Sequence, residues 1–182
     1  LVDESDNVHL GGYPGPLREL AGVWVEEIDA LAPEQTNKIT FADGTSSTCS
    51  LLCDLMHLES AQCVASYESN FYAGMPAITK NQYGKGYTYY IGTNPTEGGI
   101  VKVLDMAVQT AGVTPVITEA TGLEVTCRKA GKSTYYFIFN FRDKVLPLPA
   151  FFDGMTDLLT GEKVTGGMNM NQYDTLLVCI PE

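Results

Sequence analysis

Two stretches of this chain read clearly as helices, and only one of them is long. Eighteen glycines and nine prolines cut the 182 residues into short segments. Within 97–111, Ile100, Val101, Leu104, Ala107, Val108 and Ala111 recur at the spacing of one helix face. Thr96 suits the N-cap, Glu97 suits the positive end, and Gly112 suits the position past the last turn. Pro14-Gly15-Pro16 and Gly22 bracket a second, short helix at 16–21. Almost everything else reads as strand and turn.

Before the long helix, residues 1–13 read as loop, 23–28 as strand, 33–37 as loop and 38–41 as a short strand closed by an Asp43-Gly44 turn. Residues 49–58 fit helix or strand, as short apolar runs do. Strands are expected at 62–67, 75–79 and 87–91. The last two are joined through 81–86, where Gly84 and Gly86 supply positive φ. Gly112 to Pro115 marks a boundary. Beyond it, strands are expected at 123–128, 134–141, 145–148, 157–159, 163–165 and 175–180. The reading is thus a first domain over 1–114 and a small antiparallel β-domain over 115–182. A unit of the second one's size buries only about 60% of its unfolded surface, so it is marginal by itself.

Charge excludes several functions. Twenty-two Asp and Glu against eleven Lys and Arg give a net charge of −11, which repels phosphate backbones and anionic lipid. Arg128, Lys129 and Lys132 form a hairpin rim rather than a basic stripe, so no nucleic-acid partner is expected. No apolar run approaches the ~20 residues of a membrane span, so no membrane partner is expected either. Five cysteines, an odd number in no dense pattern, point to buried thiols in a reducing cytoplasm. The chain begins Leu1-Val2-Asp3-Glu4, which reads as a processed protein or a piece of a longer one.

No catalytic set is apparent. There is no nucleophile elbow of the G-x-S-x-G or G-x-C-x-G kind, so Ser50 and Cys53 sit in an apolar run without a seat for chemistry. Cys49, Cys53, His57 and Cys63 would share a helix face at i, i+4 spacing and form the best metal constellation, though they lack a C-x2-C knuckle. The 92–99 loop lies between strand and helix, the right context for an anion, but Glu97 opposes one. The acidic surface offers many carboxylate pairs, none distinguished from chance. No cofactor and no metal are expected. Tyr67, Phe71, Tyr72, Tyr83, Tyr87, Tyr89 and Tyr90 crowd into 24 residues. Their rings suit a core, a protein interface or a sugar-facing surface, with Tyr67, Phe71, Tyr72 and Tyr83 as the interface or sugar-facing candidates.

An ordered set of motifs runs through the chain. Asp3-Glu4-Ser5-Asp6-Asn7 leads to Leu10-Gly11-Gly12-Tyr13-Pro14-Gly15-Pro16-Leu17-Arg18. Val25-Glu26-Glu27 with Asp29-Ala30-Leu31, then Ala65-Ser66-Tyr67 and Phe71-Tyr72-Ala73-Gly74-Met75-Pro76-Ala77, follow. Asn81, Tyr83-Gly84-Lys85-Gly86 and Tyr89-Tyr90-Ile91-Gly92-Thr93 come next. Gly122-Leu123-Glu124-Val125-Thr126, Tyr136-Phe137 with Phe139-Asn140, and Asp157-Leu158-Leu159-Thr160-Gly161 complete it. The set resembles the C-terminal portion of the β-galactosidases of glycoside hydrolase family 42.

The resemblance implies the later half of an amidotransferase-like α/β trimerisation domain over 1–114, then a terminal antiparallel β-domain. The fold class is therefore expected to be α+β or α/β. It also implies a homotrimer, β-galactosides as substrates and a cytoplasmic enzyme. The two glutamates of this retaining family lie in a (β/α)8 barrel, and no residue here matches them. The expected role is non-catalytic assembly. A carbohydrate-binding module and an amidotransferase-like hydrolase are the competing readings.

Overall fold

The computed structural model describes residues 2–181, which divide into two units, 2–113 and 114–181. In the first, a 3-10 turn at Gly15–Leu17 leads into α1 (Arg18–Ala21). Then come β1 (Val23–Ala30), β2 (Asn37–Phe41), β3 (Ser46–Leu58), β4 (Gln62–Tyr67), β5 (Pro76–Tyr83), β6 (Gly86–Ile91), β7 (Thr93–Pro95) and α2 (Glu97–Thr110). The strands form one sheet in the order β1-β3-β2-β4-β5-β6, with β7 also on β3.

Every pairing in this sheet is antiparallel. Of the expected α+β or α/β fold class, the described residues display the first, and the amidotransferase-like parallel sheet is not among them. Parallel neighbours need crossovers of a dozen residues or more. Turns as short as 42–45 and 84–85 leave only antiparallel neighbours, and the unit is α+β.

The ambiguous run 49–58 lies within β3, the longest strand. It is buried at four consecutive positions, Cys53 to Met56. Successive side chains point to opposite faces, and here both faces are covered. Cys53 and Leu55 join Ile39, Phe41, Tyr67, Ile78 and Val103 of α2 in one core. Met56 joins Ala21 of α1, Val23 and Val25 in another. Covering both faces erased the alternation that marks a strand.

Helix α2 forms where the periodicity places it, but with a different buried face. Gly99 and Val103 are buried and Met106 packs on the core, while Ile100, Val101, Leu104 and Val108 are exposed. Thr96 takes the N-cap position without a capping side-chain bond, because its Oγ1 pairs with Ser47 Oγ at 2.8 Å.

In the second unit, β8 (Glu124–Ala130) and β9 (Ser133–Phe139) form a hairpin, and β9 also pairs with β12 (Thr175–Pro181). β10 (Leu146–Pro147) pairs with β11 (Asn169–Met170). Ile138, Leu146, Phe152, Val164, Met170, Leu176 and Val178 build its core. The expected strands at 157–159 and 163–165 shrink to two isolated bridges, Thr156 with Lys163 and Asp157 with Val178. The Asp157 carboxylate takes over the bonding that a ladder would supply. It accepts Leu159 N, Leu177 N and the Thr160 hydroxyl at 3.1, 3.2 and 2.8 Å.

Candidate functional site

The four singled-out aromatics separate into two pairs. Tyr67 and Tyr72 are 2% and 1% exposed, so their rings belong to the core and have no surface to offer. Phe71 is 76% exposed and Tyr83 47%. Each buried tyrosine has an internal partner for its hydroxyl. Tyr67 donates to Gly92 O at 2.8 Å, and Tyr72 donates to Asp29 Oδ2 at 2.8 Å. Tyr83 ends β5 at the hairpin tip, opposite Gly86. With two of the four buried, these rings do not form one shared aromatic platform.

Phe71 sits in the loop between β4 and β5, and that loop is held tightly. Buried Asn37, at the start of β2, donates from Nδ2 to Ser69 O at 3.1 Å. Its Oδ1 accepts Ser69 N at 3.2 Å and Ser69 Oγ at 2.5 Å. Asn70 adopts φ +69°, a left-handed turn conformation that asparagine tolerates. Its Nδ2 donates to the Tyr72 hydroxyl at 2.9 Å. The Phe71 ring stands edge-on to Tyr72, with centroids 5.0 Å apart and planes at 79°. Next to it opens a cavity of about 440 Å³ lined by Asp29, Leu31, Gln35, Thr36, Asn70 and Phe71. Sequence reasoning placed Phe71 but missed Asp29, Asn37 and Asn70 as a group. Asp29 and Asn70 meet only through Tyr72, which lies 43 residues from Asp29.

The proposed metal constellation does not assemble. The bulge between Ser50 and Cys53 keeps Cys49 and Cys53 together in one core, but in a regular strand residues four apart are separated by about 13 Å, so His57 lies further along β3. His57 instead stacks on Trp24 at 4.5 Å and pairs with Glu26 at 2.6 Å. Among the described residues, no three His, Cys, Asp or Glu side chains are placed to share a metal ion. Burial pushes the Cys49 thiol up from its ordinary value, and Cys53 is fully buried. Neither is the exposed thiolate that nucleophilic chemistry needs.

One buried carboxylate stands apart. Asp54 lies inside β3 and accepts the Tyr90 hydroxyl at 2.6 Å. Burial raises its proton affinity, and the Tyr90 bond opposes that only in part. The folded state thus holds this proton more tightly than the unfolded chain. Stability is full below the unfolded carboxyl's titration and falls as pH rises through the folded one. Asp54→Asn keeps an acceptor for Tyr90 and removes the charge. Its melting temperature is expected to exceed the parent's at pH 8, with the gap shrinking toward pH 4. Calorimetry across that range checks this, and a gap that does not change with pH would refute it.

The family model described as "Beta-galactosidase trimerisation domain" matches residues 1–114, and "Beta-galactosidase C-terminal domain" matches 122–178. The chain is 44% identical over 165 residues to β-galactosidase LacA of Lactobacillus acidophilus, covering 90% of this chain and 24% of that protein. It is 39% identical to BgaP of Planococcus sp. strain L4, covering 93% and 26%. The crystal structure of a β-galactosidase from Bacillus circulans sp. alkalophilus superposes with a TM-score of 0.82 at 32% identity, covering 96% of this chain and 26% of that one. Gan42B, described as a GH42 β-galactosidase from G. stearothermophilus, superposes in a catalytic-mutant form with a TM-score of 0.82 at 31% identity. The chain spans about a quarter of the length of these relatives. From the two matched domain models and the shared fold, this chain belongs to the β-galactosidases of glycoside hydrolase family 42, in the region of their trimerisation and C-terminal domains.

Proposed function

We propose that this chain is the assembly region of a bacterial β-galactosidase, a homotrimer that hydrolyses terminal β-D-galactosides with a catalytic barrel outside these residues. The observation that carries the reading is helix α2. It is apolar on two faces, and only one of them is used within the unit. Ile100, Leu104 and Val108 repeat at i, i+4, i+8 on the exposed side, with Val101 beside them and Leu104 58% exposed. Contiguous exposed apolar surface marks an interaction site. A three-fold ring needs one patch that meets a different patch on the next copy and closes on itself.

The amidotransferase-like character of the first domain stays within this proposal. The antiparallel sheet does not display it, and relatives four times as long have room for it. Five free cysteines support a reducing cytoplasm as the site of action. No helix among the described residues is long and apolar enough to cross a membrane.

Light scattering coupled to size exclusion tests the assembly role. The expected mass is three times the chain's 19.7 kDa, reverting to one chain in the double variant Leu104→Glu, Val108→Glu. A monomeric parent chain would remove the assembly role from these residues. The same sample is expected to show no turnover of a chromogenic β-galactoside, and real turnover would overturn the non-catalytic reading.

A further inference from the structure

We propose that the cavity beside Phe71 is a saccharide-binding site that takes one neutral pyranose ring. Phe71 is 76% exposed, so its ring offers water an apolar surface that a ligand can cover. Its edge contact with Tyr72 and the Asn37 clamp on Ser69 fix that face in place. A site ordered beforehand loses little freedom on binding.

The polar atoms around the ring define the ligand. Asp29 Oδ2 is taken by Tyr72, while Oδ1 has no hydrogen-bond partner among the described residues. Asn70 commits Nδ2 to Tyr72 and leaves Oδ1 open. Gln35 accepts Ala32 N through Oε1 at 3.1 Å and leaves its amide donors open. Thr36 adds a hydroxyl that can donate or accept. The lining holds no Lys or Arg, so an anion finds no counter-charge. Its single carboxylate falls short of a cation cage. What remains is a neutral ring bearing several hydroxyls and one apolar C–H face. That face suits the Phe71 ring, and the hydroxyls suit the mixed donors and acceptors at its side. At about 440 Å³ the cavity is in the range of small-molecule sites.

The site does not depend on the assembly reading, and its test reads sugar rather than mass. Methyl β-D-galactopyranoside is titrated onto the 182-residue chain and followed by saturation-transfer NMR. Saturable transfer is expected. Phe71→Ala is expected to weaken it about tenfold, in keeping with the loss of one aromatic contact. Phe71→Trp restores binding, and Gln35→Leu weakens it without touching the loop clamp. Phe71→Ala removes the edge contact with Tyr72 and Gln35→Leu the hydrogen bond from Ala32 N, both at exposed side chains, so melting temperatures are expected to fall only slightly. Absence of transfer, or transfer indifferent to both variants, overturns the proposal. So does a change of oligomeric mass in Phe71→Ala without any sugar signal, which would make Phe71 a contact between copies.

Discussion

Gly22→Ala is expected to destabilise the first unit by roughly 3 kcal/mol, from left-handed strain and overpacking together. Gly22 ends α1 at φ +67°, a conformation that costs a residue with a Cβ. An added Cβ would lie 2.5 Å from Asn81 Cγ and 2.7 Å from Ser60 Oγ. Asn81 cannot simply move away. It is buried on β5, and its Nδ2 donates to Glu19 O and Leu20 O at 3.2 and 2.9 Å, satisfying carbonyls at the end of α1. Gly22 O meanwhile accepts Glu59 N and Ala61 N, tying the helix end to the start of β4. Urea unfolding followed by the single tryptophan, Trp24, reads this unit directly. Gly44→Ala supplies the control, since Gly44 sits at φ +83° with open space around it. That variant is expected to lose only about 1 kcal/mol, the conformational part alone. Equal losses in the two variants would remove the steric argument at Asn81.

In the second unit the corresponding change is Asn140→Asp, with an expected loss of roughly 4 kcal/mol. Asn140 is fully buried after β9. Its Nδ2 donates to Lys144 O at 2.8 Å and Met170 O at 2.9 Å, and its Oδ1 accepts Arg142 N at 2.9 Å. An aspartate keeps the last bond and sets a second oxygen against two carbonyls. The carboxylate can relieve this by taking up a proton, so the loss is expected to shrink at acid pH. A loss of this size removes much of the margin of so small a unit. Urea midpoints by far-ultraviolet circular dichroism at pH 7 and pH 4 test it, and a midpoint unchanged at pH 7 would refute it.

Local signals in the chain were clear where one element explains its own pattern. Helix α2 follows from six apolar residues at helical spacing, and its bounds come within a residue. The β5–β6 and β8–β9 hairpins follow from Gly84 and Gly131, both at positive φ in tight turns. Partners distant in sequence left no such trace. The strand character of 49–58 was hidden because two cores cover its two faces. The inward turn of Tyr67 depended on Gly92 O, 25 residues away, accepting its hydroxyl. The exposed side of α2 looked like a core face because the small inner positions, Gly99 and Val103, carry a weaker signal than Ile100 and Leu104. The cavity beside Phe71 required Asp29, Asn37 and Asn70 to meet, and no spacing rule joins them.

Strand β3 has a consequence for how the first unit can open. It pairs with β1, β2 and β7, the last across a bulge between Ser50 and Cys53. Its partners come from both sides of it in the chain, some before residue 31 and some after residue 92. Both ends of the unit are anchored on this one strand, β1 along Leu52–Leu58 and β7 along Cys49–Cys53. The amides of β3 would then exchange with solvent only when the whole unit unfolds, as one cooperative block.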